Sequence, residues 1–164
     1  MEFTVALFTA NLGAAVRRSV NPFTKEPVEF PIDDGLTEPE RAAVRSILSL
    51  HGASEPDPDG FRYVRLADGT KANVGASHLD REGTCPGISI ELNAASSCAA
   101  AFVFELASKG NMYVGSSCYP AVNAAVSAEQ AQRIRARYPS VPVLQSATEL
   151  LAWVEQRLAA GDIV

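Results

Sequence analysis

Two Ser-Ser-Cys tripeptides, Ser96-Ser97-Cys98 and Ser116-Ser117-Cys118, stand twenty positions apart, each after a short apolar run that reads as a β-strand. Cys98 opens a segment of helical periodicity. Unpaired N–H groups and the helix dipole favour an anion at such a place, as a nucleophilic thiol requires. Thiol hydrolases and transferases also need a base, and the chain has two histidines, His51 and His78. His51 falls where the first helix should end, suited to the terminal carbonyls. His78, after the second strand of an expected hairpin, is the candidate base. The competing role for Cys98 is a small packing residue beside its alanines.

Three cysteines and two histidines also raise metal and redox chemistry. No two of the five lie closer than seven positions, so the paired knuckle of a structural zinc site is missing and no metal is assigned. Cys98 and Cys118 could meet as a redox pair if a parallel strand-helix-strand unit brought both to one sheet edge, although no Cys-x-x-Cys is present. Asp57-Pro58-Asp59-Gly60 resembles a fragment of a calcium loop without its further oxygen ligands and closing glutamate, and reads as a solvated loop. Asp33-Asp34 and Asp80-Glu82 read the same way. Glycine-rich dinucleotide or phosphate loops, a Gly-x-Ser-x-Gly elbow and a His-Glu-x-x-His helix are all missing, so no cofactor is implied.

The elements that would position these groups are well punctuated. Phe3 to Thr9 reads as a buried strand, and Asn11 to Val20 is ambiguous. Pro22 to Leu36 reads as a long irregular connection, with Val28-Glu29-Phe30 as a short edge strand, and its length suggests a surface that contacts a partner. Thr37 and Glu40 form a capping box before Ala43, Val44, Ile47, Leu48 and Leu50, with Gly52 as the stop. Asp68-Gly69 joins Phe61–Leu66 to a second extended run, which predicts an antiparallel hairpin whose two central residues take positive φ.

Ile88 to Leu92 alternates as a strand, Ala99 to Lys109 is a helix, and Met112 to Gly115 is extended again. That helix is apolar on several sides, Phe104 included, so a second helix or a second subunit should cover it. The Phe104 region is a candidate homodimer surface. Two further capping-box patterns, Ser127 with Gln130 and Ser146 with Glu149, open helices over Ala128 to Tyr138 and up to Gly161, with a short edge strand at Val141 to Leu144 between them.

This order predicts one α+β domain over residues 1–164. It has a mixed sheet of five or six strands, an antiparallel hairpin, one strand-helix-strand unit, and about four helices packed mainly on one face. Its 47% hydrophobic content supplies a continuous core. A net charge of −5 argues against nucleic acid as a partner. No apolar run reaches the roughly 20 residues that span a bilayer, and the start of the chain lacks the charge order of a signal peptide. The cysteine spacing suits a reducing cytoplasm.

These features favour a non-enzymatic protein that binds another protein or a small ligand. An acidic protein of bacterial immunity type has this profile, as do many small domains. Ser96, Ser97, Ser116, Ser117 and Cys118 mark the expected binding edge. Tyr63, Arg62 and Arg65 on the hairpin and Trp153 on the last helix are types enriched in interfaces. The alternative is a thiol-dependent enzyme using Cys98 with His78.

Overall fold

In the computed structural model, residues 2–116 and 122–163 are described. The strands are β1 (Phe3–Thr9), β2 (Val16–Val20), β3 (Pro27–Pro31), β4 (Phe61–Arg65), β5 (Lys71–Gly75), β6 (Gly87–Leu92), β7 (Met112–Gly115) and β8 (Asn123–Ala124). The helices are α1 (Glu38–Leu50), α2 (Ser97–Lys109), α3 (Ala128–Ile134) and α4 (Ala147–Ala160). Six strands form one sheet in the order β4-β5-β6-β1-β7-β8, and β2 and β3 form a second, two-stranded sheet. The result is a single-domain α+β fold.

β1 takes the middle because Val5, Ala6 and Leu7 are buried in succession, and only a central strand has both faces covered. Its position changes the expected strand-helix-strand unit. β6 and β7 run in the same direction on either side of α2, but β1 lies between them and pairs antiparallel with both. Among the described residues every ladder is antiparallel, and the parallel element is one bridge from Ala125 to Val143. Local pattern in β6 and β7 carries no trace of a strand inserted from the far N-terminus.

Phe3, Val5, Leu7, Val74, Ile90 and Leu92 meet α1, α2 and α4 on one face. On the other, Ile134 of α3 packs with Ala10 and Tyr113, flanked by Phe8 and Tyr138. α2 is flanked by α1 and α4 of its own chain, which cover its additional apolar sides and leave Phe104 half-buried against the core. Phe102 and Leu106 of this helix are essentially inaccessible, each contributing about 2–3 kcal/mol by burial.

The cap residues take their expected places, but of the three expected capping boxes only Thr37–Glu40 closes in both directions. Thr37, Ser127 and Ser146 each accept the backbone amide three residues on, and Gly161 closes α4 in the left-handed region with φ +76°. The β4–β5 hairpin also forms, but only Gly69 (φ +86°) takes a positive φ. The Leu66 amide bonds to the Thr70 carbonyl at 2.8 Å, giving a three-residue loop rather than the two-residue turn.

The largest departure lies in residues 16–31. The expected irregular connection is a hairpin arm, with Val16 opposite Pro31 and Val20 opposite Pro27. Asn21 wraps its tip, accepting the Phe23 and Thr24 amides on Oδ1 at 2.9 and 3.2 Å and the Lys25 amide on its carbonyl at 2.9 Å. Pro27 and Pro31 do not break the ladder, because at both positions the missing N–H would point away from β2.

The arm and the body meet at Glu40. Its carboxylate accepts the Thr37 amide at 2.8 Å, Asn11 Nδ2 at 2.8 Å and Asn111 Nδ2 at 2.9 Å. It thus holds the end of β1, the start of α1 and the α2–β7 turn together. Replacing Glu40 with Ala should lower unfolding free energy by about 2–4 kcal/mol, since it opens the capping box and leaves two side-chain amides short of a partner. Urea denaturation checks this, with Glu38→Ala as the exposed control expected to change little.

Candidate interaction surface

The candidate catalytic pair is not brought together. Cys98 is in the first turn of α2, whose cap Ser96 accepts the Ala99 amide at 3.1 Å. The His78 carbonyl is bonded by Arg41 of α1 at 3.2 Å, one residue from Glu40, which meets Asn111 beyond the far end of α2. The Lys71 end of β5 is bonded to Asn93, just before α2, whereas its Gly75 end lies across from Ser89 and leads on to His78, so Cys98 and His78 sit towards opposite ends of the sheet. His51 packs edge-on against Phe102 and lies 3.2 Å from Glu105, residues roughly 6 and 10 Å along α2 from Cys98.

The polar neighbour of Cys98 is instead Asp68, from the β4–β5 loop. This carboxylate is held at a pKa of about 2, below its ordinary 3.8, by the Ser96 hydroxyl first, then by the amide and hydroxyl of Thr70, and least by the Cys98 thiol. Thr70 and Ser96 hydroxyls are 3.0 Å apart. The cluster ties the hairpin loop to the start of α2, so its chemistry is that of a helix cap. Ser97 is exposed on the same turn. Ser116, buried, donates its amide to the Val122 carbonyl and accepts the Val122 amide on Oγ. Ser117 and Cys118 lie outside the described residues. Cys85 is fully buried, and burial pushes its thiol pKa up.

Tyr63 and Arg65 are exposed on β4, at one edge of the main sheet. That edge is covered. Ser54 bonds the Tyr63 amide and carbonyl, and Asp57 does the same for Phe61, at 2.8–3.0 Å. Trp153 is in the core, its indole N–H without a hydrogen-bond partner among the described residues, beside an open concavity of about 450 Å³. The apolar gap among β1, α2 and α4 measures only about 10 Å³, scarcely room for one water. Among the described residues, no three His, Cys, Asp or Glu side chains gather as metal ligands.

The arm takes in much of the Pro22 to Leu36 connection expected from its length to contact a partner, but its pairing with Val16–Val20 is what sequence reasoning missed. Both strands are exposed along nearly their whole length, with Val16, Val20, Phe30 and the neighbouring Ile32 open to solvent and Phe23 at the tip 92% exposed. One face carries Val16, Val20 and the Arg18–Glu29 ion pair. The other carries Val28 and Phe30 with the Arg17 guanidinium over its ring. At the root, Asp33 binds Arg137 through both carboxylate oxygens at 2.7 and 3.3 Å, and Ile32 and Asp34 amides bond to the Ala15 and Asn11 carbonyls. Pro27 and Pro31, four apart in an extended run, were the available signal: even spacing in a strand puts both on one edge.

No family model, curated protein or solved structure matches this chain. The site rests on its own geometry.

Two outcomes follow from the caps and the root. Asp68, whose folded pKa is depressed, adds stability above about pH 4 that disappears as pH falls towards 2. Asp68→Asn should therefore lower the melting temperature at pH 5–7, with the deficit vanishing near pH 2. At Gly13 a Cβ would lie 2.2 Å from the Ile32 carbonyl oxygen and 2.8 Å from the Asp34 carboxylate. Gly13→Ala should displace the arm's root, speeding amide exchange across β2 and β3 while leaving β1 protected.

Proposed function

We propose that this chain is a non-enzymatic protein-binding module whose docking element is the β2–β3 arm. The observation that carries this is an arm that is ordered at its root and tip, yet offers an almost fully exposed Phe23. Isolated two-stranded hairpins are marginal in water, so the hydrogen bonds that stiffen this one make it a preorganised shape. Burying a phenylalanine on a partner contributes about 2–3 kcal/mol, and the ordering cost of the tip is already met.

A thiol enzyme draws no support from the separation of Cys98 from both histidines. No helix among the described residues is long and apolar enough to cross a membrane. Among the described residues Cys85 and Cys98 are free thiols, which suits a reducing cytoplasmic setting.

The test is a photo-crosslinking amino acid at position 23, with position 50 as an exposed apolar control on the body. Position 23 should give a specific adduct in extract of the source cell. With that partner purified, Phe23→Ser should weaken binding about tenfold or more without lowering the melting temperature. Equal adduct formation from both positions would sink the reading.

A further inference from the structure

We infer that the outer edge of β2 is a template for strand addition, and that it takes an extended segment of another protein carrying adjacent acidic residues flanked by β-branched ones. The inference rests on the arm being the docking element and states how it docks.

Backbone parity selects the edge. The Asn21 amide bonds the Glu26 carbonyl, and the Ile32 amide bonds the Ala15 carbonyl, so residues 15, 17, 19 and 21 face residues 32, 30, 28 and 26. Residues in between point both their N–H and C=O away from the partner strand. On β2 these are Val16, Arg18 and Val20, all exposed and bonded to nothing else among the described residues. On β3 they are Pro27, Glu29 and Pro31, and proline has no N–H to offer. An incoming strand would find three donors and three acceptors on β2 but a single donor on β3. At the edges of the main sheet, β4 is occupied by Ser54 and Asp57, and the chain beyond β8 is bridged at Ala125 by Pro142 and Leu144.

Side chains select the occupant. Arg17 and Arg18 point to opposite faces, so a strand beside β2 passes a guanidinium on each. Arg18 is 82% exposed and its ion pair with Glu29 is weak, which leaves it free to share a second carboxylate. The arm carries three basic and two acidic side chains on a chain of net charge −5. A second copy fits poorly. Antiparallel β2–β2 pairing that uses every outward group sets Arg18 opposite Arg18 of the other copy, a like-charge pair. Acidic residues opposite Arg17 and Arg18, with β-branched residues opposite Val16 and Val20, satisfy both faces.

The test uses the intact protein and two capped synthetic peptides, Val-Thr-Glu-Glu-Thr-Val and Val-Thr-Lys-Lys-Thr-Val, with amide exchange read by NMR. The acidic peptide should slow exchange at Val16, Arg18 and Val20 by about tenfold at saturation and leave Glu29 unchanged. The lysine peptide should have no effect. Val20→Pro, which removes one outward N–H without touching the β2–β3 ladder, should abolish the protection at Val16 and Arg18. Arg18→Glu should shift the preference towards the lysine peptide.

No protection at the β2 amides, or equal protection by both peptides, overturns the inference. So does a homodimer that Val20→Pro dissolves, because the occupant is then a second copy. If the partner captured at position 23 binds Val20→Pro as tightly as wild type but loses Phe23→Ser, the edge fails and the arm reading stands. If it ignores both substitutions, the arm reading fails as well.

Discussion

One carboxylate holds three distant parts of the chain in register. Glu40 accepts amide hydrogens from Thr37, Asn11 and Asn111, and hydrogen bonds to a charged acceptor contribute about 1.5–3 kcal/mol each, roughly twice the neutral kind. Through Asn11 this point also governs the arm. The Asn11 side chain bonds the Gly35 carbonyl, and its backbone carbonyl takes the Asp34 amide, so both ends of the excursion are pinned beside α1. Asp33 then reaches Arg137, whose guanidinium is held more firmly protonated by that carboxylate. The direction in which β2 and β3 leave the body is therefore set by polar contacts at the root, while the apolar core lies elsewhere.

The main sheet and the arm treat their edges differently. Around the sheet, backbone groups at β4 are satisfied by a loop that bends back along the strand, and the segment from Pro142 to Leu144 joins the chain beyond β8. These devices remove the hazard that unpaired strands present. On the arm the same protection exists on β3 alone, through two prolines of one parity. Exposed apolar side chains are common singly and need no explanation. Their gathering on a projecting element with one unprotected edge is what separates this surface from the rest.

Much of the body was legible in the sequence because its signals are local. Thr37 with Glu40, Ser127, Ser146 and Gly161 each act within one helical turn, β1 is rich in β-branched and aromatic residues, and β6 alternates. Even there the side chains vary the pattern. Gln130 and Glu149 bond the amides of Val126 and Gln145, one residue before the capping serine, so only Thr37–Glu40 closes reciprocally. What stayed hidden was long-range. The insertion of β1 between β6 and β7, and the placing of Cys98 beside Asp68 and away from His78, follow from pairings across much of the chain. The arm was hidden for another reason: Val16-Arg17-Arg18-Ser19-Val20 has a weak strand signature, and prolines read as breakers until the edge they occupy is known.

A hairpin with one open edge and one closed edge also has a definite capacity. β-Sheets grow into fibres when each added strand exposes another acceptor surface of the same kind. Here the prolines of β3 stop growth on one side, and the self-pairing that would lengthen the other is opposed by Arg18. Under the proposed strand addition the arm's own stoichiometry is one strand per chain, and the chain would act as a terminator, capping an exposed edge on something else without becoming a seed.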